Sequence, residues 1–361
     1  MRNRREFIKG VAGGVAGTLV GGSAFLNAAR QAPQAGGPVA KRDVRVAGKK
    51  VKVVDIHAHA NVNGIGDIVK GTPMERFGRG GGREVGAERI DDLNKRGIDL
   101  QVVHINMFWW YAATDRDLAA HIVQTQDEGL SKLCVAYPDR LAAFTSPSLQ
   151  FPDLAAQQLE HAVKNLGLRG AAVGGHVNGE QLSMPKYDPF WAKAQELGVI
   201  VFMHPNGATN VAKMGAWDGP GDLGNILGNP LETILFLSHM IYDGTFDRFP
   251  RLKVCGAHGG GYLPSYLGRS EAACHVRNNA MCVNKREVHE YLHDQILADS
   301  MVFSPEAIRH MVAEMGPSQI MYGTDIPLVW PDTVDSILQA EIPDSAKEAL
   351  LGGNAAKLLK L

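Results

Sequence analysis

The chain has 361 residues, of which 45% are hydrophobic and 21% charged, with a formal net charge of -1. This is the composition of an ordinary globular protein with a sizeable core, and it excludes a chain that is disordered throughout. Near-neutral charge, with no basic run in the body, offers no footprint for nucleic acid.

Residues 1–40 differ from the rest. Arg4-Arg5-Glu6-Phe7-Ile8-Lys9 precedes an apolar run rich in Gly and Ala, and a Pro/Gln/Gly-rich stretch follows it. The layout is that of an export signal, and the paired arginines resemble a twin-arginine signal. Six glycines between Gly10 and Gly22 dilute the apolar run, which makes it a poor membrane anchor. The expectation is a signal segment and linker over 1–40, a protein exported to the periplasm already folded, and no stable association with the membrane.

From residue 50 to residue 361 the sequence predicts one domain, in which short β-type runs alternate with longer helical patterns. The expected strands are Lys52–His57, Leu100–Ile105, Leu141–Ser146, Leu168–Gly174, Val199–His204, Lys253–His258, Met301–Phe303 and Ile320–Gly323. Between them, Ala155–Leu166, Asp188–Leu197, Leu231–Phe246 and Pro305–Met315 repeat apolar residues at helical spacing. Asn229-Pro230 and Ser304-Pro305 each place a polar cap before a first-turn proline. Gly167 and Gly198 stand where a helix should stop. Eight strand-then-helix units predict an α/β fold of the (β/α)8 TIM-barrel type. A doubly wound open sheet lacks support, because no G-x-G-x-x-G follows the first strand.

Two long connections, Ala60 to Ala87 and Pro205 to Gly228, fall on the face where barrels build active sites and are expected to be substrate loops. The cysteines, Cys134, Cys255, Cys274 and Cys282, show no C-x-x-C spacing. A Cys274–Cys282 disulfide suits an oxidising compartment, though the sequence does not require it. Cys255, inside a strand, reads as a small hydrophobe.

Ionisable residues gather at the strand ends. His57 and His59 close the first strand, His204 the fifth and His258 the sixth, and Asp325 follows the eighth. Burying such groups together without a cation is costly. Three imidazoles and a carboxylate suit one divalent metal ion, Zn2+ before Mn2+. We assign His57, His59, His204 and Asp325 as ligands, with Asp325 also counted as catalytic. His258 is the expected general base and then acid. Spacing alone does not decide which histidine is ligand and which is base.

His57-Ala-His59, His204-Pro205, Ala257-His258-Gly-Gly-Gly261, Gly323-Thr-Asp325 and Gly353-Asn354-Ala355 together resemble the amidohydrolase superfamily. They are most similar to the branch of 2-amino-3-carboxymuconate-6-semialdehyde decarboxylase. The resemblance runs from about residue 51 to the C-terminus. It implies a mononuclear site with those four ligands, His258 as the catalytic histidine and a homodimer. Consistently, Leu168–Gly174 contains no lysine to bridge a second metal.

The branch implies small, conjugated carboxylic acids as substrates. Phe108-Trp109-Trp110-Tyr111 is expected to wall a flat pocket. Arg269 matches an arginine that the branch lends across a dimer interface, and arginine pairs well with a carboxylate. His176 and Asn206 are further expected pocket residues, Asn206 standing where the branch usually has tryptophan. The branch's second carboxylate-binding arginine has no convincing counterpart among Arg76, Arg79 and Arg83. The expected reaction is non-oxidative decarboxylation of a small unsaturated or aromatic acid. Hydrolysis of a lactone, ester or amide is the alternative that the same residues would serve. A non-catalytic metal-binding protein would have no need of His258.

Overall fold

Val54–His59 forms the first barrel strand, β1, and every one of its residues is buried, as expected of a strand covered on both faces. The computed structural model describes residues 39–78, 85–208, 211, 215–277 and 279–361. The expected signal segment lies outside them except for its last two residues, as do Arg79 and Arg83. Lys41–Leu361 forms one compact unit. It opens with a hairpin, Arg45–Val46 against Lys49–Lys50, and Val44 and Val46 join the core.

The remaining barrel strands are β2 (Leu100–His104), β3 (Leu141–Ala143), β4 (Gly170–Val173), β5 (Ile200–Met203), β6 (Lys253–Gly256), β7 (Ile296–Asp299) and β8 (Ile320–Met321). β1 to β3 pair in parallel, and β4 to β8 do likewise in chain order. Parallel bridges join the two sets: Thr145 to Ala171 beside β3 and β4, and Ala58 to Ile326 beside β1 and β8. The second seam is reinforced by Ile56 N–H donating to Tyr322 O (2.9 Å) and Asp325 N–H donating to His57 O (2.8 Å). The fold is therefore the (β/α)8 barrel that the alternating pattern predicts. Among the described residues, no helix is long and apolar enough to cross a membrane.

Three expected elements differ. β7 is Ile296–Asp299, not Met301–Phe303. Phe303 has φ +54°, which a strand does not accommodate. Ile-Leu-Ala-Asp is made a strand by partners on both sides, β6 and β8. The helix expected over Leu231–Phe246 is two, Asn229–Tyr242 and Thr245–Arg248, parted by Gly244 at φ +73°. Asn229 is not a cap; it is itself helical and follows a π-type turn, Gly224–Gly228. Packing sets this entry, since a Cβ on Gly228 would lie 2.6 Å from the Gly207 carbonyl oxygen. Ser304 caps as expected, accepting from Ala307 N–H at 3.1 Å. Cys274 and Cys282 are disulfide-bonded, and Cys255 is free and buried.

Candidate active site

The site is built at the C-terminal ends of the strands, where β1 and β2 are out of simple step. Asp55 pairs with Gln101 and Ala58 with Val103, so β1 carries one extra residue between them. This bulge re-aims the strand just where His57 and His59 must turn inward. Their rings meet edge to face with centroids 5.4 Å apart.

His57, His59, His204 and Asp325 are buried, and each offers a ligand atom within 4.8 Å of the other three. Asp325 Oδ1 lies 2.7 Å from His59 Nε2, 3.1 Å from His57 Nε2 and 3.7 Å from His204 Nε2. Among the described residues, His57 Nε2 and both nitrogens of His204 are buried without a hydrogen bond. Buried polar atoms are ordinarily satisfied. Here His57 Nε2 and His204 Nε2 face the Asp325 carboxylate, and the set of three imidazoles and one carboxylate fits a divalent cation. The set is mononuclear, with no lysine on β4 to bridge a second ion.

The ligands are held from behind. Asp299, at the end of β7, places Oδ2 2.6 Å from His57 Nδ1. The same oxygen accepts from His258 N–H at 3.0 Å, while Oδ1 accepts from Gly259 N–H (2.9 Å) and Met301 N–H (3.1 Å). A carboxylate behind a ligating imidazole fixes its tautomer and orientation. Below, Asp55 accepts from His57 N–H, Gln101 Nε2, and the Thr324 backbone and hydroxyl, at 2.6–3.2 Å. Arg89 extends this support, donating to Gln101 Oε1 (2.8 Å) and to the His59 carbonyl (3.1 Å). Trp330 Nε1 donates to Asp325 Oδ2 at 3.1 Å and so holds the outer oxygen of that carboxylate.

Electrostatics follow from burial and these carboxylates. Burial opposes charge on His57, but Asp325 and Asp299 outweigh it and push its pKa up to about 10. Burial takes His59 down to about 4, against the pull of Asp325, and holds His204 well below its usual value. Asp325 stays far below the carboxylate range because His57 and the other imidazoles outweigh its desolvation. Burial lifts Asp55 to about 6 despite its hydrogen bonds.

His258 adopts φ +55°, and Gly259, Gly260 and Gly261 follow at +67°, +72° and +66°. This run of left-handed residues explains the three glycines. A Cβ on Gly259 would lie 2.5 Å from Val302, and one on Gly261 would lie 2.5 Å from the Pro230 carbonyl. The turn puts His258 Nε2 3.8 Å from Asp325 Oδ2, with its side chain 14% exposed.

A cavity of about 530 Å3 opens beside the cluster, its walls including Phe77, Phe108, Trp109 and Tyr111. Asn106, another of its residues, places Nδ2 3.5 Å from His59 Nε2. Trp109 stacks on Phe77, centroids 5.8 Å apart and planes 9° from parallel. His176 and Asn206 also line the cavity.

The sequence model of the family described as Amidohydrolase matches residues 54–361, a span containing every barrel strand and every site residue above. The chain belongs to the amidohydrolase family. This amidohydrolase is 33% identical over 280 residues to 2-amino-3-carboxymuconate-6-semialdehyde decarboxylase of Dictyostelium discoideum, covering 76% of each chain. It is 28% identical over 284 residues to gamma-resorcylate decarboxylase of Rhizobium radiobacter, covering 76% of this chain and 86% of that one. Among solved structures, 5-carboxyvanillate decarboxylase from Sphingomonas paucimobilis shares the fold with a TM-score of 0.77 at 22% identity, covering 86% of this chain and 100% of the other.

One expected pocket residue of this amidohydrolase is placed otherwise. Trp110 is fully buried and packs in the core, not on the cavity wall. The 3-10 turn Trp109–Ala112 sends successive side chains in different directions, so Trp109 reaches the cavity and Trp110 does not. Arg269 is exposed on the helix Leu267–Val276, outside the lining of this cavity. Sequence reasoning also missed several residues. Asp299 was hidden by the misplaced seventh strand. Asp55 and Gln101 were visible as polar residues inside apolar strands, a signal for a buried network. His104 ends β2, fully buried, its ring 4.7 Å from that of His59, and burial holds its pKa well below the usual value.

Proposed function

We propose that this protein catalyses the metal-dependent, non-oxidative decarboxylation of a small unsaturated or aromatic carboxylic acid. The observation that carries this reading is the place of His258, a proton-transfer group whose Nε2 lies 3.8 Å from Asp325 of the cation-binding cluster. In the reaction the bond from the ring or alkene carbon to the carboxyl carbon breaks, CO2 departs, and a proton takes its place on the ring or alkene carbon. His258 holds and delivers that proton. The divalent cation, when bound, supplies the positive charge that stabilises electron density left on the conjugated system. Phe77 and Trp109 form the stacked wall that orients a flat substrate. The two relatives named above, both called decarboxylases, support the assignment.

Three imidazoles and one carboxylate favour Zn2+. Mn2+ is the competing ion, being the metal bound in the 5-carboxyvanillate decarboxylase of Novosphingobium aromaticivorans. Arg269 is read as a carboxylate-binding group offered to the neighbouring subunit of a homodimer, which suits its exposure on its own protomer. The paired arginines at the N-terminus support export by the twin-arginine route to the periplasm.

Purified, metal-analysed protein should be incubated with hydroxybenzoates and with lactones, and both CO2 and acid release measured. CO2 release from an acid is expected. Acid release from lactones without CO2 would make the protein a hydrolase that uses the same residues.

A further inference from the structure

The turn after β2 holds strained backbone beside the site. Met107 has φ +71° and Phe108 φ +41°, two successive non-glycine residues in the left-handed region. Backbone held this way persists only where the surroundings over-determine it, and such places concentrate at functional sites. Asn206 Nδ2 donates to the Met107 carbonyl at 3.2 Å. Asn206 is itself anchored, its N–H donating to Glu232 Oε2 at 3.0 Å, while Gly175 N–H donates to Oε1 at 3.1 Å. Glu232 comes so close that a Cβ on Gly175 would lie 2.5 Å from its Cγ. One buried carboxylate therefore fixes the loops after β4 and β5, and through Asn206 it pins the turn after β2.

That turn presents Asn106. Its Oδ1 accepts from Met107 N–H at 2.5 Å, which determines which end of the amide is which. The NH2 end is left to face the cluster, with Nδ2 3.5 Å from His59 Nε2. That distance is too long for a useful bond, and a cation bound at His59 Nε2 would leave the amide no acceptor there at all. A fixed neutral donor on the cavity wall, beside the cation-binding atoms, calls for an oxygen from the substrate.

We propose that Asn106 is a substrate-binding and specificity residue: its amide N–H donates to an oxygen of the acid seated beside His59 and Asp325. Asn206 is then a positioning residue that acts through Met107. The proposal takes from the decarboxylase reading only that the ligand is an unsaturated or aromatic acid. It selects acids with an acceptor oxygen, in the carboxylate or beside it, at that point.

The test uses metal-loaded full-length protein with 2,6-dihydroxybenzoate and 5-carboxyvanillate as probes, following binding by calorimetry and turnover by CO2 release. Asn106→Asp keeps the oxygen that accepts from Met107 N–H and removes the donor. Asn106→Ala removes both and adds no charge. Both variants should keep wild-type metal content and lose about 10²-fold in acid binding or kcat/KM, the scale of a lost donor at a developing anion. Wild-type values in Asn106→Asp would reduce the residue to a turn former and overturn the proposal. Loss in Asn106→Asp alone would be charge repulsion and would overturn it too. If Asn106→Ala does not fold, Asn106→Asp and Asn106→Ser, which keeps a donor, decide between these outcomes by their order. Binding without CO2 release, weakened in both variants, would sink the decarboxylase reading and leave Asn106 in place. CO2 release unchanged in both would do the reverse. No binding of either acid by the wild type would remove both.

Discussion

Asp299 Oδ2 lies 2.6 Å from His57 Nδ1, and through the same oxygen it holds the backbone N–H of His258 at 3.0 Å. One buried carboxylate thus orients a candidate metal ligand and the candidate proton-transfer residue together. Replacing it by an amide of the same shape separates charge from size. Asp299→Asn is expected to weaken metal affinity by about 10- to 100-fold, the usual effect of losing a carboxylate behind a ligating histidine. Titration against a chelating competitor measures this. Unchanged metal affinity would show that His57 is oriented without Asp299.

His258 sits beside the cluster but outside the set of four converging donors. His258→Asn is therefore expected to retain metal by elemental analysis and to lose about 10²- to 10⁴-fold in kcat, the contribution typical of a positioned acid or base. Loss of the metal would make His258 a ligand. Full activity with metal retained would remove its role in proton transfer.

The barrel was legible because each strand-helix unit carries a local signal, and the four proposed ligands because histidine and aspartate at strand ends are conspicuous. The residues that support them were harder to see. Asp299 ends a strand of only four residues, whose identity as β7 depends on β6 and β8 and not on its own propensity. The bulge in β1 also arises from pairing, since nothing in Val-Asp-Ile-His-Ala-His marks an extra residue opposite β2. Trp109 and Trp110 are adjacent and chemically identical, and only the backbone turn decides which faces the cavity.

That distinction can be measured. Trp109 is a cavity residue stacked on Phe77, whereas Trp110 is wholly buried in the core. Trp110→Ala should cost about 3–5 kcal/mol of stability through the void it leaves. Trp109→Ala should raise KM for an aromatic acid with a much smaller change in melting temperature. Denaturant unfolding and steady-state kinetics on the two variants should separate cleanly. Equal stability losses with equal kinetics would return both residues to the core.

Asp127 gives the fold a pH dependence away from the metal cluster. It is buried on the long helix Arg116–Ala136, where Thr145 Oγ1 donates to its Oδ2 at 2.8 Å and Oδ1 has no hydrogen-bond partner among the described residues. Burial lifts its pKa from 3.8 to about 8, with the Thr145 hydrogen bond opposing. The folded protein then keeps a proton that the unfolded chain releases above about pH 4. Between pH 4 and pH 8 the unfolded state binds fewer protons, so this group's contribution to stability falls as pH rises and levels off above the folded pKa. Asp127→Asn cannot ionise and keeps an oxygen to accept from Thr145. It should be more stable than the wild type at pH 8, by an amount on the order of a few kcal/mol, and the gap should narrow towards pH 4. Urea unfolding of the two proteins across that range, at fixed metal loading, gives the comparison. A gap that stays constant with pH would mean that Asp127 is already ionised in the folded protein.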